Sequence, residues 1–369
     1  MPRAHLGAGI VLALAGCCLN EISGIATTGG STGEGTTGST SGTTGTGPRQ
    51  CPPATYQTSP GPISLRNYAG AAFGSDGLAY IAGGAPEGGQ TIDLVEVLNP
   101  DSGVVTTGPS MLSPHSSFAF LASADHRTLY AIGGYDAVGG TTSAESFDVA
   151  TQTWTALPPL PVPAGPTVGA LLADGRIVVI LPNVLDADGG ASVEVFEDGG
   201  WVPGPSVPTN SYGGQPVAAG AGIGEAVYSF DRWLQIRVWD PSADGGAWTQ
   251  IFGAMNHDRI IDAAAAQGAD ELFIAGGVSL GVDCRSEVDG VQVFDFGNAA
   301  PTLSWSSGAP VGRDTAAAAI SPDGRLFVFA GETTGVCCTG STLSLSYTYL
   351  GSYDVLDLDS GVWEPTHGM

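Results

Sequence analysis

A short apolar strand closed by a glycine pair, or by what is left of one, returns about every 50 residues along most of this 369-residue chain. The clean copies are Ala79-Tyr80-Ile81-Ala82-Gly83-Gly84, Leu129-Tyr130-Ala131-Ile132-Gly133-Gly134 and Leu272-Phe273-Ile274-Ala275-Gly276-Gly277. Three weaker copies fall in step, ending at Leu181-Pro182, Ser229-Phe230 and Ala330-Gly331. The intervals between successive pairs are 50, 48, 48, 47 and 54 residues. A fixed period of this size means that one supersecondary unit is stacked on copies of itself, none of which can bury its apolar face alone.

Each copy carries further marks. A strand-like triplet follows the pair: Val95-Glu96-Val97, Ser146-Phe147-Asp148, Val193-Glu194-Val195, Ile236-Arg237-Val238, Val291-Gln292-Val293 and Tyr353-Asp354-Val355. Beyond a turn stands a tryptophan, at Trp154, Trp201, Trp248, Trp305 and Trp363, with Val105 in that place in the first copy. Ahead of the pair lies a segment of small residues, such as Thr315-Ala316-Ala317-Ala318-Ala319-Ile320, joined to it by turns such as Ala173-Asp174-Gly175 and Pro322-Asp323-Gly324. A turn between two apolar runs is a hairpin signal. Each unit therefore reads as four antiparallel strands, a to d. Alanine and glycine suit the innermost strand, where sheets converge, and tryptophan suits the outermost, where a wedge opens between them.

This pattern resembles the kelch repeat, over roughly residues 66 to 369. The resemblance implies an all-β fold, a six-bladed kelch-like β-propeller with four antiparallel strands per blade. Trp239-Asp240 is the one imitation of the other common propeller signature. Two closures are open: the strand at Trp363 completes the sixth blade, or Tyr56-Gln57-Thr58-Ser59 adds to it or replaces part of it.

The start of the chain bears on location. Arg3 precedes an apolar run from Leu6 to Ala15, too short to span a bilayer and suited to a signal peptide. Leu14-Ala15-Gly16-Cys17 resembles a bacterial lipobox, which implies cleavage before Cys17 and lipidation of its thiol. With Cys18 rather than an aspartate following, that resemblance places the protein at the bacterial outer membrane, lipid-anchored and facing the periplasm or the surface. Residues 27 to 47 are Gly, Ser or Thr apart from Glu34, a tether with nothing to bury. The expected organisation is a signal peptide over 1–16, a lipidated cysteine and flexible, disordered linker over 17–50, and the propeller over 51–369.

The formal charge is −25, with eleven arginines and no lysine. Such a surface is a poor match for nucleic acid, and membrane contact is expected through the lipid anchor only. The expected partners are a protein, peptide or glycan at the envelope, met by a monomer. Of the cysteines left after Cys17, Cys284 and Cys337 fall in the b–c loops of adjacent blades. In an oxidising compartment a bridge from Cys284 to Cys337 or Cys338 is expected, with Cys51 taking a remaining partner. Histidines at ligand spacing do not accompany these thiols, so no metal is expected there, and no cofactor.

In kelch-like propellers the b–c and d–a loops share one face around the central channel. The b–c loops here differ in length, shortest in copy four and longest in copy six. Variable loops on a rigid scaffold are where binding resides. Seventeen residues ahead of each pair stand Arg66, Ser116 beside His115, Ala164, Tyr212, Arg259 and Arg313. Arg232 and Arg285 fall in b–c loops of the same face, and Asn67, Asp258 and Asp314 flank the arginines, with His115, His257, Asp258 and Glu332 as the groups that could serve as acid or base. Two readings stand together. Either the guanidinium groups form an anion or carboxylate site, or each pairs with backbone or a neighbouring acid.

Catalysis finds little support. His115 and His257 belong to blades two and five, His126 to an opposite turn and His367 to the tail. The tyrosine, histidine and Tyr-Cys set of copper oxidases built on kelch-like propellers is not recognisable. Asp186-Ala187-Asp188-Gly189-Gly190 lacks the further ligands of a calcium loop and reads as a turn. Three function classes follow: a non-catalytic, lipid-anchored recognition module; an enzyme acting on an anionic sugar, resembling six-bladed kelch proteins that equilibrate sialic acid anomers; and a structural envelope spacer.

Overall fold

The computed structural model describes residues 56–364 apart from 60–61, 209–218, 224–225, 231–235, 242–245, 253–258, 262, 269, 281–284, 288–289, 297–301, 308–311 and 340–341. Cys17 and the residues expected to form a signal and a linker, 1–50, lie outside the described residues, as do Cys51 and Cys284.

Six antiparallel sheets of four strands form a six-bladed propeller. Blade 1 runs Gly70–Phe73, Ala79–Ala82, Val95–Leu98 and Val105–Thr107; blade 2 runs Ala119–Ala122, Thr128–Ile132, Ala144–Asp148 and Thr153–Ala156. Blade 3 comprises Val168–Leu171, Ile177–Leu185, Ala191–Glu197 and Gly200–Pro203, and blade 4 Ala219–Ile223, Ala226–Phe230, Ile236–Trp239 and Thr249–Phe252. Blade 5 uses Ala264–Gln267, Glu271–Ala275, Gly290–Asp295 and Thr302–Ser307; blade 6 uses Ala317–Ile320, Arg325–Phe329, Tyr353–Asp357 and Val362–Trp363. The a strands adjoin one another in blade order, and that of blade 6 returns to that of blade 1.

The core is divided among the wedges between blades. Alternation along each strand sends successive side chains to opposite neighbours. Ala79 and Ile81 thus join Phe327, Phe329 and Tyr353 of blade 6, while Tyr80 and Ala82 join Leu129, Phe147 and Trp154 of blade 2. Further clusters link blades 2 and 3, 3 and 4, 4 and 5, and 5 and 6. Burial on both faces explains why the b strands read as continuous apolar runs. The tryptophans close the outer rim. Trp154 Nε1 donates to Pro109 O at 3.0 Å, Trp201 Nε1 to Pro158 O at 2.7 Å and Trp248 Nε1 to Pro205 O at 2.7 Å, each bond reaching back to the preceding blade.

The glycine pair has a reason the repeat alone does not state. Both members are left-handed, with φ of 63° and 95° at Gly83 and Gly84, and 65° and 87° at Gly276 and Gly277. A Cβ on Gly83 would lie 2.2 Å from His115 O, and one on Gly276 2.2 Å from Arg313 O. The backbone of the next blade therefore occupies the space a side chain would need. The second glycine uses the contact: Gly84 N donates to His115 O at 2.7 Å, Gly277 N to Arg313 O at 2.6 Å and Gly331 N to Arg66 O at 3.1 Å. The last of these bonds joins blade 6 to blade 1. Beside it runs a second chain of bonds, Tyr68 N to Thr315 O at 2.9 Å, Ser117 N to Tyr68 O at 3.0 Å and Thr167 N to Ser117 O at 2.9 Å.

Closure follows the first of the two expectations. Leu356 and Asp357 pair with Trp363 and Val362, so the sixth blade comes from one repeat. Tyr56–Ser59 instead runs parallel to Thr342–Leu350, outside the blades. Thr342–Leu350 and Glu332–Thr339 form a long hairpin where the sequence suggested an extended b–c loop.

Candidate functional site

The face formed by the d–a and b–c loops is organised by short bridges within a blade. Asn67 pairs with Ala85, Ser116 with Tyr135 and Asp314 with Glu332, tying the entry to strand a to the start of the b–c loop. This register makes His115, rather than Ser116, the counterpart of Arg66 and Arg313. Asn67, Ser116, Asp314 and Glu332 are all buried.

The three side chains at this position turn inward. Arg66 is 0 % and Arg313 1 % exposed. Arg66 NH2 donates to Ile81 O at 2.9 Å, and its NH1 lies 2.9 Å from Glu96 Oε2, an ion pair without the angle of a hydrogen bond. Glu96 also accepts from Ser64 N at 3.1 Å and from Ser64 Oγ at 2.7 Å. Arg313 Nε donates to Asp354 Oδ2 at 2.7 Å, NH1 to Ala330 O at 2.8 Å and NH2 to Ser352 Oγ at 2.9 Å. In blade 2, His115 Nδ1 faces Gly133 O at 2.7 Å and Nε2 faces Glu145 Oε1 at 3.0 Å. Glu145 in turn accepts from Leu112 N at 2.6 Å and Ser113 N at 3.1 Å. Burial pulls both guanidinium pKa values below their ordinary level, and the charges of Glu96 and Asp354 pull back. Each pair is thus a strut that fixes a d–a loop to strand c of its own blade.

The acid of each strut occupies one position of the repeat. Glu96, Glu145, Glu194 and Asp354 stand opposite Ile81, Ala131, Val179 and Val328 of strand b. Arg237 and Gln292 fill the same place opposite Ser229 and Ile274. All six are buried. The sequence carries this signal as the polar centre of the c-strand triplets; in blade 2 the structure shifts the register by two residues, from Phe147 to Glu145.

Tyr212, Arg232 and Asp258 lie outside the described residues. Arg259–Ile261 is a short strand in which Arg259 stands opposite Leu280, and Arg285–Glu287 places Arg285 opposite the same Leu280. The backbone therefore brings Arg259 and Arg285 to either side of one residue in the b–c region of blade 5. Strand Arg285–Glu287 approaches Glu332–Thr339 of blade 6, where Cys337 and Cys338 stand opposite Ser344 and Leu343. Over blades 1 to 3 the loops are different in character. Val138 and Leu185 are well exposed, Tyr135 and Tyr68 about a third. Residues 85–94, 135–143 and 182–190 contain acidic side chains and no basic one. Asp186 caps its own turn, accepting from Asp188 N and Gly190 N at 3.0 Å. Among the described residues no group of three metal-ligating side chains comes together.

The family model described as the Kelch motif matches residues 119–161, which are the four strands of blade 2 and the loop that follows. The chain is similar to kelch-repeat propellers in fold throughout, and in sequence over that blade.

Proposed function

We propose that this six-bladed propeller is a non-catalytic recognition module whose loop face binds a protein, peptide or glycan, and that it works at a bacterial cell envelope, anchored by lipid on Cys17. The observation that carries the reading is the division of labour on that face. The struts Arg66–Glu96, His115–Glu145 and Arg313–Asp354 are consumed in holding loops, and the loops they hold differ in length and chemistry from blade to blade. A rigid ring with diverse loops is built for presentation of a surface. In this reading Arg66, Asn67, His115, Asp314 and Arg313 position the loops, while Arg232, Arg285 and the exposed side chains of blades 1 to 3 meet the partner. The test is recovery of a partner from envelope extract with the full chain, against a variant carrying Val138→Glu and Leu185→Glu and a second carrying Arg232→Glu and Arg285→Glu. Loss of a specific partner with either variant supports the reading; recovery of nothing above background by the folded wild type points to a spacer. Anchoring is tested separately, by incorporation of labelled palmitate that Cys17→Ser abolishes.

A second reading, an enzyme acting on an anionic sugar, rests on Arg259 and Arg285 flanking Leu280. Two arginines whose backbone stands at one register position are the residue type that suits a carboxylate. A saturable response to sialic or uronic acid that Arg259→Ala removes would favour it.

A further inference from the structure

Blade 3 has the acid of the strut and lacks its base. Glu194 stands opposite Val179 as Glu96 stands opposite Ile81 and Asp354 opposite Val328. The hydrogen bond from Thr167 N to Ser117 O continues the chain that runs through Ser117 and Tyr68, which sets Thr167 level with those residues. Gly165 then falls where Arg66, His115 and Arg313 stand, with Ala164 before it, and neither offers a cation. Pro163 falls where Ser64 and Ser113 donate backbone N–H groups to the acid, and proline has none to give. Glu194 is accordingly 6 % exposed, with an Oε2 that is buried and has no hydrogen-bond partner. Burial alone, with no opposing charge, pushes its carboxyl upward.

A buried acceptor without a donor is costly, and native structures seldom leave one without a use. Above the missing base lies Tyr135, whose Cζ and hydroxyl would be 2.8 Å from a Cβ on Gly165. Tyr135 is 36 % exposed and its hydroxyl accepts from Asn183 Nδ2 at 3.3 Å. An aromatic ring against Gly165, at the place of the missing base, and a buried acceptor on the acid that base would meet are the two groups that hold a guanidinium, by stacking and by a charge-assisted hydrogen bond. The rim agrees, with Asp136 and Asp186 in the adjoining loops and the exposed Leu185 beside them.

We propose that Glu194 and Tyr135 form a socket for an arginine side chain of a partner protein or peptide, which completes in trans the strut that blades 1 and 6 build in cis. This deepens the recognition reading and rests on it, because Tyr135 belongs to the same loop face. The probe is acetyl-arginine amide, with the citrulline analogue as its charge-free control, titrated into the full chain by NMR. Binding of the arginine compound is expected, and about tenfold weaker binding or worse is expected for citrulline and for Glu194→Gln. Melting curves accompany each variant, so that a misfolded one is recognised. Tyr135→Ala, which leaves the carboxylate in place, is expected to weaken binding less than Glu194→Gln. Equal affinity of folded wild type and Glu194→Gln overturns the proposal, as does no binding by the wild type. Either result leaves the docking face itself to the extract experiment, so the failure of the socket and the failure of the recognition reading are distinguishable.

Discussion

Arg313 and Glu194 occupy the two halves of one repeated contact, and they predict opposite responses to mutation. Arg313 is fully engaged, by Asp354, Ala330 O and Ser352. Arg313→Ala leaves Asp354 buried without its base, and the expected loss is about 3–5 kcal/mol in denaturant unfolding. A loss under about 1 kcal/mol would mean the pair is no strut. Glu194 has nothing to lose. Its carboxyl titrates above the ordinary glutamate value when folded, because burial disfavours the charge. The unfolded chain gives up that proton at lower pH, so the folded state is penalised from there upward, and the penalty is complete once pH passes the raised value. Glu194→Gln is therefore expected to stabilise the protein by about 1 kcal/mol at neutral pH. The gain should vanish in acid below the ordinary glutamate range. Midpoints measured at both pH values check this, and an equal gain at both would exclude the charge as its source. At this scale the sequence was informative in part. Arg66 and Arg313 were legible as a set by their spacing, and pairing with a neighbouring acid was one of the two readings. Which acid was not legible, because Glu96 lies 30 residues after Arg66 and Asp354 lies 41 after Arg313, across a loop of different length each time.

At the scale of the element, the glycine pair is the informative device. Gly276→Ala forces a Cβ to within 2.2 Å of Arg313 O at a φ of 65°. Gly175→Ala meets a comparable φ of 89° in an a–b turn, yet nothing lies within 4 Å. The turn variant is expected to cost about 1 kcal/mol, the backbone strain alone, and the pair variant about 2–3 kcal/mol more, since a packed backbone must move. Equal costs in urea unfolding would mean that the pair serves φ only. A second expectation concerns the hairpin of blade 6. The strand carrying Cys337 and Cys338 is approached by the strand that directly follows Cys284. Peptide mapping without reduction is expected to link Cys284 to Cys337 or Cys338; free thiols at all three sites in exported protein would refute it. The pair, the triplets and the tryptophans were readable because repetition multiplies a weak signal. The hairpin was not. Glu332–Thr339 and Thr342–Leu350 occur once, and a singular Thr- and Ser-rich run has no second copy to set its register.

Across the whole molecule the six inter-blade clusters form an unbroken cycle. Among the described residues no blade has a core of its own, so none is expected to melt alone. Thermal unfolding followed by tryptophan fluorescence and by far-ultraviolet circular dichroism should give coincident single transitions. Two separated steps would show that part of the ring is an independent unit. Blade number followed from counting repeats, and strand order from the hairpin turns. The joint between last and first blade did not, since Tyr56–Ser59 and the strand at Trp363 each offered a candidate outer strand for the sixth blade. Position in space decided between them, and position in space is the one thing a period cannot supply.

That joint has a mechanical consequence. Five of the six boundaries between blades are crossed by the chain; across the sixth, between blades 6 and 1, the described residues place Ile63 N on Gly351 O, Gly331 N on Arg66 O, Tyr68 N on Thr315 O, the ion pair of Arg325 with Asp101 and the apolar wedge around Phe73 and Phe327. Tension applied between the ends of the ring, near Pro62 and Glu364, loads that boundary first, because nowhere else can two blades part without drawing a covalent connection taut. The ring is a clasp as well as a scaffold, and among the described residues its fastening is three backbone hydrogen bonds, one ion pair and an apolar patch, with the pairing of Tyr56–Ser59 on Thr342–Leu350 as a second catch beside it.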